Sequence, residues 1–174
     1  MGLFVPDYYF DTVYSVTPEM LKERNVKGII LDIDNTLVPY EIPEPTEEVR
    51  AWLEAMWENG IKTAFVSNNH KDRVELFNKS LNCPAFYDSG KPLKKSCRRA
   101  MEAMSVTKEE TAIIGDQVFT DVLAGRISGL NTAILVKPIK DKTNLFFKSK
   151  RLLEKPVLAV YRRREAKKAK NKEG

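Results

Sequence analysis

Short apolar runs alternate along the chain with segments in which apolar residues recur every three or four positions. The runs predict strands buried on both faces, which is typical of a parallel sheet. They cover residues 27–33, 61–67, 84–88, 111–115 and 132–136. The segments between them predict amphipathic helices. This alternation indicates βαβ units, and therefore an α/β fold with a five-stranded parallel sheet and helices on both faces.

Residues with capping preferences mark the ends of several predicted helices. Thr17 precedes Pro18 at the start of a short first helix, and Thr46 precedes a longer helix that stops at Gly60. Threonine is common at N-caps, proline in the first turn and glycine just beyond the last turn. The further helices between strands are predicted over residues 70–81, 92–104 and 119–129.

The charge is distributed unevenly. From Lys137 onward Lys and Arg exceed Asp and Glu by 10, whereas residues 1–136 carry a balance of −5. Two helices are predicted in this basic part, over residues 143–155 and 156–172. We therefore divide the chain into a core, residues 1–140, and a basic helical extension, residues 141–174, whose last residues are expected to fray. A basic extension favours contact with a polyanion. An anionic membrane surface is preferred, RNA is the alternative, and no DNA partner is expected.

The remaining composition narrows the class of protein. Only two cysteines occur, Cys83 and Cys97, without the spacing of a zinc site or a disulfide framework. No signal peptide and no membrane-spanning segment are expected. These features predict a cytoplasmic protein, with a peripheral position at the inner face of the membrane if the basic extension binds lipid.

Polar side chains follow four of the predicted strands. They are Asp32, Asp34, Asn35 and Thr36 after the first strand, Ser67 and Asn68 after the second, Lys91 after the third, and Asp116 and Asp121 after the fourth. In an open α/β sheet, ligands bind in the crevice beyond the carboxyl ends of the strands. We therefore expect all of these residues to converge on one crevice.

The side chains of this set predict a metal-assisted phosphoryl site. Several carboxylates in one crevice repel one another unless a cation lies among them. Oxygen ligands without histidine or cysteine favour Mg²⁺. Ser67 and Asn68, at a helix start, and the Lys91 ammonium could bind an anion. Lys94 and Lys95 are further candidates for the lysine that holds phosphate.

The two aspartates at the end of the first strand suggest two separate chemical roles, that of a nucleophile and that of a proton donor and acceptor. One residue separates Asp32 from Asp34, so they share a face of an extended strand. One carboxylate can attack phosphorus while the other transfers the proton.

Four short motifs carry a resemblance to a known family. "DIDNTL", "VSNN", "GKP" and "GDQVFTD" follow successive predicted strands. In this order they resemble the motifs of the haloacid dehalogenase (HAD) superfamily of phosphatases. They are most similar to subclass IIIA and its YqeG-like phosphatases, whose eukaryotic relatives include mitochondrial phosphatidylglycerophosphate phosphatases. The resemblance implies a Rossmann-like three-layer sandwich over the core.

The resemblance also assigns roles to the residues of the crevice. It implies that Asp32 is the nucleophile and that Asp34 is the general acid and base. The expected substrate-binding residues are Asn35, Thr36, Ser67, Asn68 and Lys91. The expected Mg²⁺ site comprises Asp32, the Asp34 carbonyl and Asp116, with Asp121 steadying the cation or Lys91.

The spacing of the motifs leaves no room for an inserted cap domain. Asp32 and Ser67 are 35 positions apart, and Ser67 and Lys91 are 24 apart, distances already filled by the predicted elements. The only candidate lid is a loop with three prolines, residues 38–45 (the proline loop). An open site favours a macromolecular or membrane-displayed phosphate.

We therefore expect a magnesium-dependent phosphomonoester hydrolase. The resemblance implies phosphatidylglycerophosphate or a similar lipid head group as its substrate, with Leu158, Val160 and Tyr161 of the extension dipping into the membrane interface. The alternatives are a nucleotide, sugar or protein phosphatase, and a non-catalytic HAD-like protein that binds RNA or the ribosome.

Overall fold

A computed structural model describes residues 2–140 and 145–170. Its sheet has six parallel strands in the order β1-β6-β5-β2-β3-β4. The strands are β1 (Tyr8–Phe10), β2 (Gly28–Leu31), β3 (Lys62–Val66), β4 (Ala85–Phe86), β5 (Thr111–Gly115) and β6 (Thr132–Val136).

Six α-helices accompany the sheet in the described part of the chain. They are α1 (Pro18–Glu23), α2 (Glu47–Glu58), α3 (Lys71–Asn78), α4 (Lys94–Met104), α5 (Leu123–Ser128) and α6 (Leu145–Lys170). The hydroxyl groups of Thr17 and Thr46 cap α1 and α2 by accepting from backbone amides three residues later. Gly60 follows α2 with φ of 77°, a conformation that glycine adopts without strain.

The hydrophobic core forms two layers, one on each face of the sheet. Successive residues of β2 pack into opposite layers, because side chains along a strand point alternately to its two faces. Ile29 and Leu31 pack with the buried side chains of α1, α2 and α3, whereas Ile30 packs with those of α4 and α5. The predicted α/β class, with a parallel sheet between two layers of helices, is confirmed.

The sheet has one strand more than the five that the sequence predicts. The additional strand is β1, which pairs in parallel with β6 at the edge of the sheet. It has only three residues, all of them half-buried, and therefore lacks the longer apolar run that marks a central strand.

The basic extension also differs from its prediction. Its described part is one helix, α6, with Pro156 in the interior, where two helices are predicted. The helix lies against the core: Glu154 accepts a hydrogen bond from the backbone of Val118, and the Tyr161 hydroxyl accepts one from the backbone of Tyr9. Leu158 is half-buried against the core, whereas Val160 is 52% exposed, so the expected contact of Leu158, Val160 and Tyr161 with a membrane interface stays a prediction.

Two further predictions concern the end of α6 and the absence of a membrane-spanning helix. Helix α6 continues to Lys170, and residues 171–174 lie outside the described residues, so the expected fraying of the last residues stays a prediction. Among the described helices, none combines the length and apolar character needed to cross a bilayer.

Candidate active site

The strand order reverses at β2, and this reversal opens a crevice at the carboxyl edge of the sheet. From β2 the chain adds β3 and β4 on one side and later β5 and β6 on the other. Asp32 directly follows β2, and its backbone amide donates to the carbonyl of Ile114 in β5, at 3.0 Å. Asp116 directly follows β5. The two aspartates therefore leave neighbouring strands side by side.

Three buried carboxylates meet in this crevice. Asp32, Asp116 and Asp121 each place an oxygen within 4.8 Å of the others. The Lys91 ammonium reaches into the same cluster, 2.8 Å from Asp32 Oδ1 and 2.7 Å from Asp121 Oδ1, and its side chain is 2% exposed. With all four groups ionised, one lysine leaves the three carboxylates with an excess of two negative charges.

Asp121 reaches the cluster because a single turn of π-helix, Val118–Val122, carries it back towards the end of β5. Its Oδ2 accepts a hydrogen bond from the backbone amide of Gln117, at 3.1 Å. A Cβ atom on Gly115 would lie 2.2 Å from Asp121 Cγ. Gly115 is therefore required at this position, because any side chain would displace the Asp121 carboxylate.

The pKa values in the cluster reflect burial first and the excess of negative charge second. Burial raises the pKa of Asp32 to about 6; Lys91 opposes this shift, while the charges of Asp121 and Asp34 add to it. Burial and the charges of Asp32 and Asp121 raise the pKa of Asp116 well above its usual value. Burial alone would lower the pKa of Lys91, but the two carboxylates it contacts raise it. A divalent cation among these oxygens would balance the excess, so the donor set fits Mg²⁺.

Only one of the three candidate lysines enters the cluster. Lys94 and Lys95 lie exposed in the first turn of α4, whereas Lys91 is buried. The Asn68 side chain holds the Lys91 backbone from both sides: its Oδ1 accepts from the Lys91 amide at 2.7 Å, and its Nδ2 donates to the Lys91 carbonyl at 3.2 Å. Asn68 thus fixes the segment that delivers the lysine. Ser67 is buried nearby, with Oγ accepting from the amide of Asn69 at 3.1 Å.

The other residues after β2 surround the cluster. The Asp34 carboxylate is not among the three that lie within 4.8 Å of one another; its Oδ2 accepts from Asn69 Nδ2 at 2.9 Å. Asn35 has φ of 64° and its amide donates to the Val38 carbonyl, so the chain makes a tight turn directly after β2. The Thr36 hydroxyl is buried, and among the described residues it has no hydrogen-bond partner.

Arg73 contacts the site directly, although no motif in the sequence includes it. Its Nε and Nη2 lie 3.1 and 2.9 Å from Asp34 Oδ1. Arg73 lies in the first turn of α3, where the helix dipole disfavours a cation, but Lys71 occupies the same turn, so this signal does not single out Arg73 in the sequence.

Comparison with known proteins agrees with the fold and the motifs. The HAD-hydrolase-like family model matches residues 89–145. The probable phosphatase YqeG of Bacillus subtilis is 43% identical over 161 residues, which cover 92% of this chain and 93% of that protein.

Solved structures resemble the chain at the level of the fold. The cobalt-bound deoxy-D-mannose-octulosonate 8-phosphate phosphatase of Haemophilus influenzae matches with a TM-score of 0.56 and 18% identity, covering 80% of this chain and 91% of that one. The 3-deoxy-D-manno-octulosonate 8-phosphate phosphatase of Yersinia pestis matches with a TM-score of 0.52 and 15% identity, covering 72% of each chain. Together with the extended identity to YqeG, this likeness shows that the chain belongs to the HAD superfamily, in the group of YqeG-like phosphatases.

Proposed function

We propose that the protein is a magnesium-dependent phosphomonoester hydrolase that forms an aspartyl phosphate on Asp32. The observation that carries this proposal is the excess of negative charge in the crevice. Three buried carboxylates meet around one buried lysine. Such a cluster is costly in the absence of a cation, and it matches what a phosphate and its metal ion require. Bound by Asp32, Asp116 and Asp121, Mg²⁺ would supply positive charge to the phosphate oxygens.

The side chains divide the reaction into two displacements. A carboxylate oxygen of Asp32 attacks phosphorus, the bond from phosphorus to the leaving oxygen breaks, and Asp34 gives that oxygen a proton. Asp34 then takes a proton from the water that attacks the aspartyl phosphate, which releases inorganic phosphate and restores Asp32. Lys91 and the hydroxyl groups of Ser67 and Thr36 bind the phosphate oxygens.

Phosphate release from 4-nitrophenyl phosphate tests the reaction. We expect activity with Mg²⁺, none with excess EDTA, and a loss of at least about 10³-fold in Asp32→Asn, which removes the nucleophile. Asp72→Asn is the matched control, because Asp72 is exposed on α3. Activity that survives in Asp32→Asn would reject the mechanism.

For the substrate we propose a phosphomonoester displayed on an anionic bilayer, such as phosphatidylglycerophosphate. Among the described residues, α2 and the proline loop are the main segments between β2 and β3, and α3 is the main segment between β3 and β4, so neither connection contains a cap domain. Exposed apolar side chains occur at the edge of the crevice: Tyr87 follows β4, Leu93 follows the Lys91 segment, and Ile139 donates its amide to the Asn35 carbonyl. These side chains are 43%, 65% and 48% exposed, which suits contact with lipid.

Hydrolysis of lipid phosphates in vesicles, compared with nucleotide, sugar and peptide phosphates in solution, tests this substrate. We expect the highest kcat/KM on the lipid, and a lower value on vesicles in Leu93→Ser with little change on 4-nitrophenyl phosphate. Leu76→Ser is the control, since Leu76 is an exposed apolar residue of α3. A soluble phosphate that is hydrolysed faster than the lipid would reject the membrane substrate and leave the phosphatase activity standing.

A further inference from the structure

Arg73 joins two parts of the crevice that are distant in sequence. Its guanidinium donates to Asp34 Oδ1 through Nε, at 3.1 Å, and lies 2.9 Å from the same oxygen through Nη2. It also donates to the backbone carbonyls of the proline loop, from Nη1 to Pro43 and from Nη2 to Ile42, at 2.9 Å each. The planar fork of arginine can make all of these contacts at once, whereas lysine, with a single nitrogen, cannot.

The surroundings of Arg73 fix its position. Its side chain is 13% exposed, as is that of Asp34. The guanidinium carbon lies 5.7 Å from the centre of the Phe77 ring, and Phe77 is fully buried one turn further along α3. Arginine at a helix N-terminus opposes the helix dipole, so the carboxylate and the ring are needed to offset an unfavourable location. The cation is thus held rigidly against Asp34.

The contacts of Asp34 leave little freedom to its carboxylate. Arg73 holds Oδ1, and Asn69 Nδ2 holds Oδ2 at 2.9 Å. A proton donor contributes to catalysis only when it lies within hydrogen-bond reach of the leaving oxygen. Displacement by about 1 Å can cost about 10²-fold in rate. The residue that orients Asp34 therefore affects the proton transfer without touching the substrate.

We propose that Arg73 is a positioning residue, which orients Asp34 for proton transfer and couples that orientation to the proline loop. The inference rests on the proposed function, in which Asp34 protonates the leaving oxygen. It predicts a defect that depends on the leaving group. Phenolates with low pKa leave without help, whereas alkoxides need the proton.

The experiment measures kcat/KM for aryl and alkyl phosphates whose leaving groups span a wide range of pKa. This parameter reports the steps up to departure of the leaving group. For Arg73→Gln we expect a loss of about 10²-fold on alkyl phosphates and less than about threefold on 4-nitrophenyl phosphate. For Arg73→Lys, which keeps the charge, we expect a kcat/KM on alkyl phosphates between those of Arg73→Gln and the wild type. A loss of equal size on all substrates, or no loss, would overturn the inference.

Arg126 provides a matched control. It also holds a buried carboxylate, with Nη2 3.0 Å from Asp7 Oδ2, and it also donates to a backbone carbonyl, that of Val5. Because this pair lies outside the crevice, Arg126→Gln should lower stability without changing the dependence on the leaving group. Thermal unfolding of both variants separates a loss of folding from a loss of positioning.

A double-mutant cycle tests whether Arg73 acts through Asp34. On an Asp34→Asn background, Arg73→Gln should change kcat/KM by less than about twofold, since the group it orients no longer transfers a proton. A further large loss on this background would overturn the inference. Asp32→Asn separates the two proposals: if it remains active, the proposed function fails and this inference with it. If it is inactive and the Arg73 effect is independent of the leaving group, only this inference fails.

Discussion

At the scale of single residues, Lys91 has the largest electrostatic role in the crevice. It contacts two of the three clustered carboxylates, and all four groups are buried. Removing one partner of a buried ionic network leaves charge without compensation, which costs far more than the net contribution of the network. Lys91 therefore connects the stability of the protein to its proposed chemistry.

Replacing Lys91 by methionine should have two effects. The metal-free protein should lose about 3–5 kcal/mol of unfolding free energy, because Asp32 and Asp121 lose their countercharge. The kcat/KM on 4-nitrophenyl phosphate should fall at least about 10²-fold, because the phosphate loses a cation. Urea titrations and steady-state kinetics measure the two effects. Lys94→Met, at an exposed position, should change neither; a similar loss in that variant would contradict the role of Lys91.

The carboxylates also predict how Mg²⁺ stabilises the protein at different pH. The pKa of Asp32 is about 6 when folded, above its ordinary value of 3.8. In the metal-free protein, the contribution of Asp32 to the free energy of unfolding is therefore fully present below about pH 3.8. It is lost as pH rises through about 6, where the folded protein gives up the proton. Mg²⁺ needs the ionised carboxylates, so its binding offsets this loss.

We expect Mg²⁺ to raise Tm by several degrees at about pH 7.5 and by much less at about pH 5. Scanning calorimetry with Mg²⁺ and with EDTA at each pH measures the difference. Asp116→Asn should abolish most of it. Equal shifts at both values of pH would show that the buried carboxylates are not the ligands.

At the scale of elements, α6 belongs to the structure that supports the crevice. Glu154 is buried, and its Oε1 accepts from the Val118 amide at 3.0 Å. Val118 begins the π-helical turn that carries Asp121. A helix predicted as a separate extension thus anchors a turn of the candidate active site.

Glu154→Ala should destabilise the protein by about 1–3 kcal/mol, because the buried Val118 amide loses its acceptor. The same change should raise the Mg²⁺ concentration needed for half-maximal activity, since the turn that carries Asp121 is loosened. Glu154→Gln keeps an acceptor and should be milder, and Glu54→Ala, at an exposed position of α2, should be neutral. A normal Mg²⁺ requirement in Glu154→Ala would mean that α6 stabilises only the sheet.

Some helices and strands can be predicted from the sequence, and others cannot. Apolar runs identify β2, β3, β4, β5 and β6, although only β2, β5 and β6 are buried along their whole length. The edge strand β1 escapes detection, because its three aromatic residues lie between Asp7 and Asp11 and form too short an apolar run. Pro156 predicts a helix boundary, yet α6 continues through it, packed on the core by Val157 and Leu158. Both the pairing of β1 and the continuation of α6 through Pro156 depend on contacts between distant segments. A local sequence pattern contains no information about such contacts.

The candidate site shows the same limit. Carboxylates that directly follow strands, such as Asp32 and Asp116, can be found because the topology brings strand ends together. Arg73 lies within a helix, and its importance depends on the path of the proline loop back to α3. No spacing in the sequence specifies that path.

At the scale of the whole molecule, basic and apolar surfaces lie apart from the buried acidic cluster. The exposed residues Arg162 and Arg163 follow Tyr161, which contacts β1 at the edge of the sheet. β1 is three strands away from β2, about 14 Å at the usual strand spacing. A single partner that contacts both the basic helix and the crevice edge would have to span at least this distance.

If α6 binds an anionic bilayer, the binding should depend on salt and on its arginines. We expect Arg162→Gln and Arg163→Gln each to weaken binding to anionic vesicles by about 1 kcal/mol. Cosedimentation should decrease as NaCl rises, because exposed charges are screened. Vesicles of zwitterionic lipid serve as the control. Binding that is insensitive to salt and to both substitutions would assign α6 to the fold alone.

The reversal of strand order at β2 has a consequence for how activity appears during folding. Asp32 and Lys91 are 59 positions apart, and Lys91 and Asp121 are 30 apart. Their meeting requires pairings between distant segments, which form more slowly than local helices. After dilution from denaturant, catalytic turnover should therefore return later than the helical circular dichroism signal, and enzyme activity measures the fraction of chains whose central sheet is complete.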